Sequence, residues 1–201
     1  YMAENINDEK LKAIKGEEYS YQATIVDDFK PNDAPVLETL KLKEGAQVIF
    51  CHNNPTAGYM NGTIGKVSKL KENQICVMLE NGIEITVEKF TWQNMQSKYN
   101  RETRKMETEV VGAFTQYPLK LAWAITLHKS QEMTFDRMQF DLTRGTFQAG
   151  QAYVAVSRLR SLNGLTLSNP IRPHHVTQNQ EVRAFANSFN DVSMINDELA
   201  S

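Results

Sequence analysis

Thr126, His128, Lys129, Ser130 and Gln131 are side chains able to handle an anion, and they follow directly on the apolar run Leu121-Ala-Trp-Ala-Ile125. A buried strand over Leu121–Thr126 that turns into a short helix over His128–Met133 would present hydroxyls, an imidazole, an ammonium and free backbone amides at a helix N-terminus. Dipole and unpaired N–H groups favour negative charge there, and phosphate is the guest such a pattern suits. The plainer reading of the same residues is a capped helix with a solvated lysine, Ser130 being the cap. A second cluster lies downstream. The spacing predicts a helix over Gln151–Arg160 with Tyr153, Val154, Val156 and Leu159 on its apolar face. Arg158 falls one step from that face, where a guanidinium could reach across a cleft to a transferring phosphate. An ordinary surface arginine has the same appearance in sequence.

Other chemistries find no support. A phosphate-binding loop needs G-x-x-x-x-G-K-[ST], and the nearest match, Gly62-Thr-Ile-Gly-Lys-Val67, is two residues short between its glycines and ends in valine where a hydroxyl should meet Mg²⁺. It reads as a curved strand. No Asp-Glu pair follows an apolar strand, since Asp27-Asp28 lies in an acidic connection and Asp8-Glu9 in a helix, so residues 1–201 alone are not expected to hydrolyse ATP. His52, His128, His174 and His175 are scattered without a cysteine or carboxylate at ligand spacing; no metal site is expected, and surface histidines are. Ser130 sits in no G-x-S-x-G elbow.

The elements that must position these residues read as follows. A helix is predicted over Asn5–Lys15 from Ile6, Leu11 and Ile14, stopped by Gly16. Residues 17–39 read as a connection with an extended piece at Tyr21–Val26. Strands are predicted at 47–51, 62–67, 74–80 and 83–90, the last two joined by the hairpin signal Asn81-Gly82, with Ile83, Ile85 and Val87 on the dry face. This spacing suggests a small SH3-like β-barrel. After a charged stretch from Lys98 to Glu109 the rhythm becomes α/β, with strands at Met138–Leu142 and Leu165–Leu167 and a terminal helix over 179–190 through Val182, Phe185 and Phe189. The expected fold class is therefore α/β with an inserted barrel. The insertion covers residues 54–112, and the α/β lobe is made of residues 1–53 and 113–201.

The chain has 201 residues, 41% hydrophobic and 23% charged, which suits one generous domain or two small ones. Its apolar runs are far short of the roughly 20 residues that cross a bilayer, and no secretory leader is apparent. Cys51 and Cys76 form no disulfide framework, in keeping with a reducing, intracellular setting, the cytoplasm if the source is bacterial. Tyr1 is not an initiator methionine and helical periodicity begins at once, so the chain is expected to start inside a longer protein. Net charge is −2, yet residues 101–160 hold nine Lys/Arg against six acids, a local excess of three. A non-enzymatic nucleic-acid-binding module built on the barrel, with Lys98, Arg101, Arg104 and Lys105 near the strand, would account for that excess; a protein-interaction domain is a further possibility.

Leu121-Ala-Trp-Ala-Ile-Thr-Leu-His-Lys-Ser-Gln131, followed by Gly150-Gln-Ala-Tyr-Val-Ala-Val-Ser-Arg158, resembles motifs V and VI of superfamily-one (1B) helicases of the RecD-like group, most nearly the PIF-type branch. Leu40-Lys-Leu-Lys-Glu-Gly-Ala-Gln-Val48 and Asn61-Gly-Thr-Ile-Gly-Lys-Val67 resemble that branch's entry into an SH3-like 2B insertion, and Thr115-Gln-Tyr-Pro-Leu119 resembles the return. The resemblance implies a RecA-like second motor lobe, 2A, lacking the Walker lobe. It implies a monomeric motor that moves 5′ to 3′ on single-stranded DNA and uses ATP with Mg²⁺, neither held tightly by residues 1–201 alone; the N-terminal motor lobe would be supplied in cis. By the same resemblance Thr126, His128 and Lys129, with Lys98 and Arg101, would contact DNA; Lys129, Ser130, Gln131, Glu132 and Gln151 would couple that contact to the nucleotide; and Arg158 would be the arginine finger. The family has glycine where this chain has Glu132, a charge expected to weaken coupling by repulsion.

Overall fold

The computed structural model describes residues 2–100, 105–131, 133–143, 149–177 and 179–188. It divides into two compact units, Tyr1–Thr126 and Leu127–Ser201. None of its helices is long and apolar enough to cross a membrane among the described residues.

The first unit opens with α1 (Met2–Ala13), which buries Asn7 and Leu11 one turn apart. Nine strands and a short return follow: β1 (Tyr19–Gln22), β2 (Thr24–Asp27), β3 (Thr39–Leu42), β4 (Gln47–Phe50), β5 (Ile64–Lys71), β6 (Gln74–Leu79), β7 (Glu84–Val87), β8 (Phe90–Asn100), β9 (Lys105–Gln116) and β10 (Leu119–Leu121). They make three sheets, ordered β10-β4-β5-β6-β7, β2-β9-β8 and β1-β3. In the five-stranded sheet every neighbouring pair is antiparallel. Its alternating inward residues, among them Val48, Phe50, Val67, Ile75, Val77 and Leu119, are 0–2% exposed and join Leu40 and Leu42 of β3 in one core. A second, aromatic layer lines β8 and β9. Phe29 packs on Phe114 (ring centroids 5.5 Å), Phe114 on Trp92 (6.0 Å), Trp92 edge-on to Phe90 (5.0 Å), and Phe90 stacks with His52 at 3.6 Å.

Several expectations change here. The connection at 17–39 contains two strands. Within the charged stretch, residues 98–100 and 105–109 belong to long paired strands, because cross-strand pairing from Phe90↔Gln116 to Asn100↔Lys105 sustains the ladder where the side chains show no alternation. Ile83 lies in the hairpin turn and is 56% exposed, whereas Ile85 and Val87 are buried as expected. No pairing among the described residues joins β7 back to β10, so the sheet is open and no closed barrel forms. In that sheet β4, which precedes residue 54, pairs with β5, which follows it. The predicted strand at Leu121–Thr126 stops at Leu121.

The second unit is a small α/β assembly. β11 (Met138–Phe140) pairs in parallel with β12 (Leu165–Leu167), and the chain between them carries α2 (Gln151–Val156), the crossover a parallel pair requires. A helix α3 (Gln180–Ser188) follows. Where a helix was predicted over His128–Met133 there is one 3₁₀ turn, His128–Ser130. Helix α2 ends at Val156, not Arg160, and its buried face is Ala152 and Ala155, with Tyr153 77% exposed. The reason is backbone capture: Phe135 N donates to Arg158 O at 2.8 Å and Arg160 N to Phe135 O at 3.1 Å, pulling residues 158–160 into an extended bridge.

Candidate nucleotide-side and DNA-side residues

The polar cluster begins in the first unit, at the end of β10. Beyond Leu121 one further backbone bond is made, at Ala122, and amide side chains supplement and then replace the ladder. Gln47 Nε2 donates to Ala122 O at 2.9 Å while Ala122 N donates to Gln47 O at 3.0 Å. Asn7 Nδ2 donates to Ala124 O at 2.8 Å, and its Oδ1 accepts from Ala124 N at 2.8 Å. Thr126, two residues on, is exposed. Lys98, on β8 of the same unit, is exposed too.

In the second unit the turn is fixed from within. Ser130, 4% exposed, donates its hydroxyl to Leu127 O at 2.6 Å, and Ser130 N reaches the same carbonyl at 3.1 Å. Gln131 N then reaches His128 O at 3.3 Å and Met133 N reaches Ser130 O at 3.1 Å. The serine hydroxyl is thus spent on the turn as a donor to the carbonyl three residues back; it is not the N-cap of its plainer reading, since Leu127 holds that position and no side chain caps the turn. His128, Lys129 and Gln131 point outward and are exposed.

Across residues 132–148 in sequence, Gly150 starts α2 in the left-handed region (φ 81°), a conformation glycine adopts at little cost. Its N–H donates to Thr177 O at 2.9 Å, anchoring the start of the helix. The turn and the helix start meet in a hollow of about 100 Å³ lined by Leu127, His128, Gln131, Ala149, Gln151 and Val154. Two primary amides and an imidazole supply hydrogen bonds there, and no carboxylate is among the lining residues, so the hollow suits an oxygen-rich anionic or sugar group better than acid–base chemistry. Arg158 is half-buried one turn beyond Val154; its Nε donates to Val154 O at 3.3 Å and a terminal nitrogen to Ser157 Oγ at 3.2 Å. Lys129, Ser130 and Arg158 do not line the hollow. Arg101 and Glu132 lie outside the described residues.

His128, Gln131 and Gln151, singled out in the sequence, line the hollow; Asn7 was not singled out, its one signal being a polar residue on the same stripe as Leu11 and Ile14. His175, expected at the surface, is 7% exposed. Its Nδ1 accepts from Arg172 N at 3.1 Å, and burial pushes its pKa below the ordinary value, with the charges of His174 and Arg172 acting in the same direction. Among the described residues no group of three or more His, Cys, Asp or Glu could hold a metal ion.

No protein-family model matches the chain. It is 37% identical over 171 residues to the ATP-dependent DNA helicase Pif1 of Bdellovibrio bacteriovorus, covering 82% of this chain and 36% of that protein. The structure of unliganded Pif1 from Bacteroides sp superposes with a TM-score of 0.86 at 36% identity, covering 94% of this chain and 43% of the other. Bacteroides Pif1 bound to single-stranded DNA superposes with a TM-score of 0.74 at 36% identity, over 96% of this chain and 44% of that one. The chain therefore spans less than half the length of the proteins it matches. By sequence and by fold together, it is homologous over 82% of its own length to the Pif1-family superfamily 1B DNA helicases.

Proposed function

We propose that residues 1–201 are the RecA-like second motor lobe of a monomeric ATP-dependent helicase moving 5′ to 3′ on single-stranded DNA. In this reading 2A comprises residues 1–53 and 113–201, and residues 54–112 are the 2B insertion with SH3-like strands. The observation that carries it is the hollow: the turn before Glu132 and the start of α2, the two segments that resemble motor motifs, share one lining although residues 132–148 separate them. Support comes also from the relatives, which are named ATP-dependent DNA helicases, and from the Bacteroides relative solved with single-stranded DNA.

Gln131 and Gln151 then hydrogen-bond on the nucleotide side of the hollow. Ser130 couples by holding the turn through Leu127, with Lys129 and Glu132 beside it. Thr126, His128 and Lys129 touch the DNA backbone, joined by Lys98 and Arg101. Arg158 is the finger: a guanidinium turned from Val154 and Ser157 toward the γ-phosphate would stabilise charge that develops on the transferring group. The described residues do not fit Mg²⁺, and the sequence has no Walker loop. The Walker-type phosphate contacts and the metal ligands are accordingly assigned to the N-terminal motor lobe, with Gln131, Gln151 and Arg158 approaching the nucleotide from this side.

The test is Arg158→Ala in the intact helicase. DNA-stimulated ATP hydrolysis should fall by about 10³-fold, the scale on which an arginine finger acts, with single-strand affinity unchanged. Hydrolysis at the wild-type rate would remove the finger from this residue.

A further inference from the structure

Asn7 is a buried polar residue on a helix whose other inward positions are apolar. It is 9% exposed and one turn before Leu11. Its amide makes three bonds to a single stretch of chain: Nδ2 donates to Ala124 O at 2.8 Å and to Leu121 O at 3.3 Å, and Oδ1 accepts from Ala124 N at 2.8 Å. A primary amide that donates to and accepts from one residue reproduces the pair of bonds a neighbouring strand would make. Such a surrogate is needed here, because β10 ends at Leu121 and buried backbone groups left unpaired are costly. At Ala122 the last backbone bond, Ala122 N to Gln47 O, is still made, and the Gln47 side chain adds only a donor to Ala122 O. At Ala124, two residues before Thr126, the Asn7 amide makes both bonds.

We infer that Asn7 is a positioning residue for the single-strand contact at Thr126: α1 fixes the peptide of Ala124, and so sets where the threonine emerges from the end of β10. This inference rests on the DNA-track reading given above. It deepens that reading by naming a residue in α1, far from the motif in sequence, on which the track depends. The chemistry of the side chain is specific. Aspartate has the same shape but cannot donate, and would set a carboxylate against the carbonyl oxygens of 121 and 124; leucine would leave the N–H and C=O of Ala124 without their partner.

The experiment compares the 201-residue chain with Asn7→Asp and Asn7→Leu, each with and without Thr126→Ala, at a temperature where every variant is folded. Amide hydrogen exchange is read over residues 119–126, and affinity is measured by anisotropy with a labelled oligothymidylate. Expected are faster exchange confined to 121–126 and binding weakened by about tenfold, 1.4 kcal/mol. Thr126→Ala should weaken the wild type but add less than about twofold to either Asn7 variant, the mark of coupled residues. If leucine prevents folding, the isosteric aspartate carries the test. A purely structural asparagine would lower the melting temperature and leave the effect of Thr126→Ala intact. Unchanged exchange at Ala124, or full additivity of the two substitutions, overturns the inference. If Thr126→Ala leaves wild-type binding unaltered, the track reading fails at that residue and the positioning role falls with it; exchange would still report the clamp itself, so the two failures are told apart.

Discussion

His174 and His175 stand side by side in the 3₁₀ turn Pro173–His175, rings edge to face with centroids 4.1 Å apart, but only His175 is buried. Its Nδ1 accepts from the Arg172 N–H, a bond that exists only while that nitrogen is unprotonated. Burial, then His174 and Arg172, hold its pKa below the ordinary 6.5. Below pH 6.5 the unfolded chain takes up a proton that the folded chain refuses, so the native state loses stability as pH falls from 6.5 toward the folded pKa and keeps its full contribution above 6.5. The consequence reaches the candidate site through the chain, since Thr177 just beyond the turn anchors Gly150 at the start of α2. Thermal melts between pH 8 and pH 5 should show the midpoint dropping on the acid side. His175→Gln, with an amide oxygen to accept the same N–H, should flatten that part of the profile, and His174→Gln should leave its shape. A His175→Gln profile parallel to the wild type would show that another group titrates there.

At the level of elements, three strands pack so closely that one glycine is decisive. Gly112 of β9 lies opposite Asp27 of β2 and Asn94 of β8, and a methyl group added to it would run into the backbone of Asp28 and Phe29. Backbone cannot swing aside as a side chain can, so Gly112→Ala should force β2 away from β9 and destabilise the first unit by about 2 kcal/mol, as overpacking does. A urea midpoint equal to wild type would mean the sheet is looser than its register. The same sheet marks what sequence could and could not convey. Strands β4 to β7 were legible because β4 and β6 are short apolar runs, burial alternates along β5 and β7, and Asn81-Gly82 specifies its own turn, all local signals. The outer part of β8–β9 was not: Met95, Val110 and Met106 are 60%, 49% and 64% exposed, so no wet–dry alternation marks the strands, and their persistence comes from pairing with each other. Continued burial past Leu121 looked like a continued strand, because side-chain hydrophobicity does not reveal that the Asn7 amide replaces the ladder at Ala124. Gln116 does likewise out of sight, donating to Tyr21 O and Glu38 O at 2.9 and 3.0 Å. For the candidate site, the polar types and the helix start were readable, whereas the length of the helix was set by Phe135, a contact from a distant strand entry.

For the molecule as a whole, a net charge of −2 from 22 basic and 24 acidic residues gives no general attraction for a polyanion, so any affinity for DNA must come from a few placed cations. That makes the strength and the salt dependence of binding quantitative consequences of the proposed track. Each phosphate neutralised on a single strand contributes about −0.7 to the slope of log K against log salt, so contacts from Lys98, Arg101 and Lys129 predict a slope near −2. His128→Ala with Lys129→Ala should weaken binding equally on oligonucleotides of different sequence and make the slope shallower by about 0.7, one lysine's share. Arg158→Ala, assigned to the nucleotide side, should leave both affinity and slope as they were. Titrations of the wild type and these two variants across a salt series therefore separate the DNA-facing from the nucleotide-facing assignments without any need for turnover. A slope that stays at its wild-type value when Lys129 is removed would take the track away from the His128–Ser130 turn, while a slope altered by Arg158→Ala would move that guanidinium from the phosphate of the nucleotide to the phosphates of the strand.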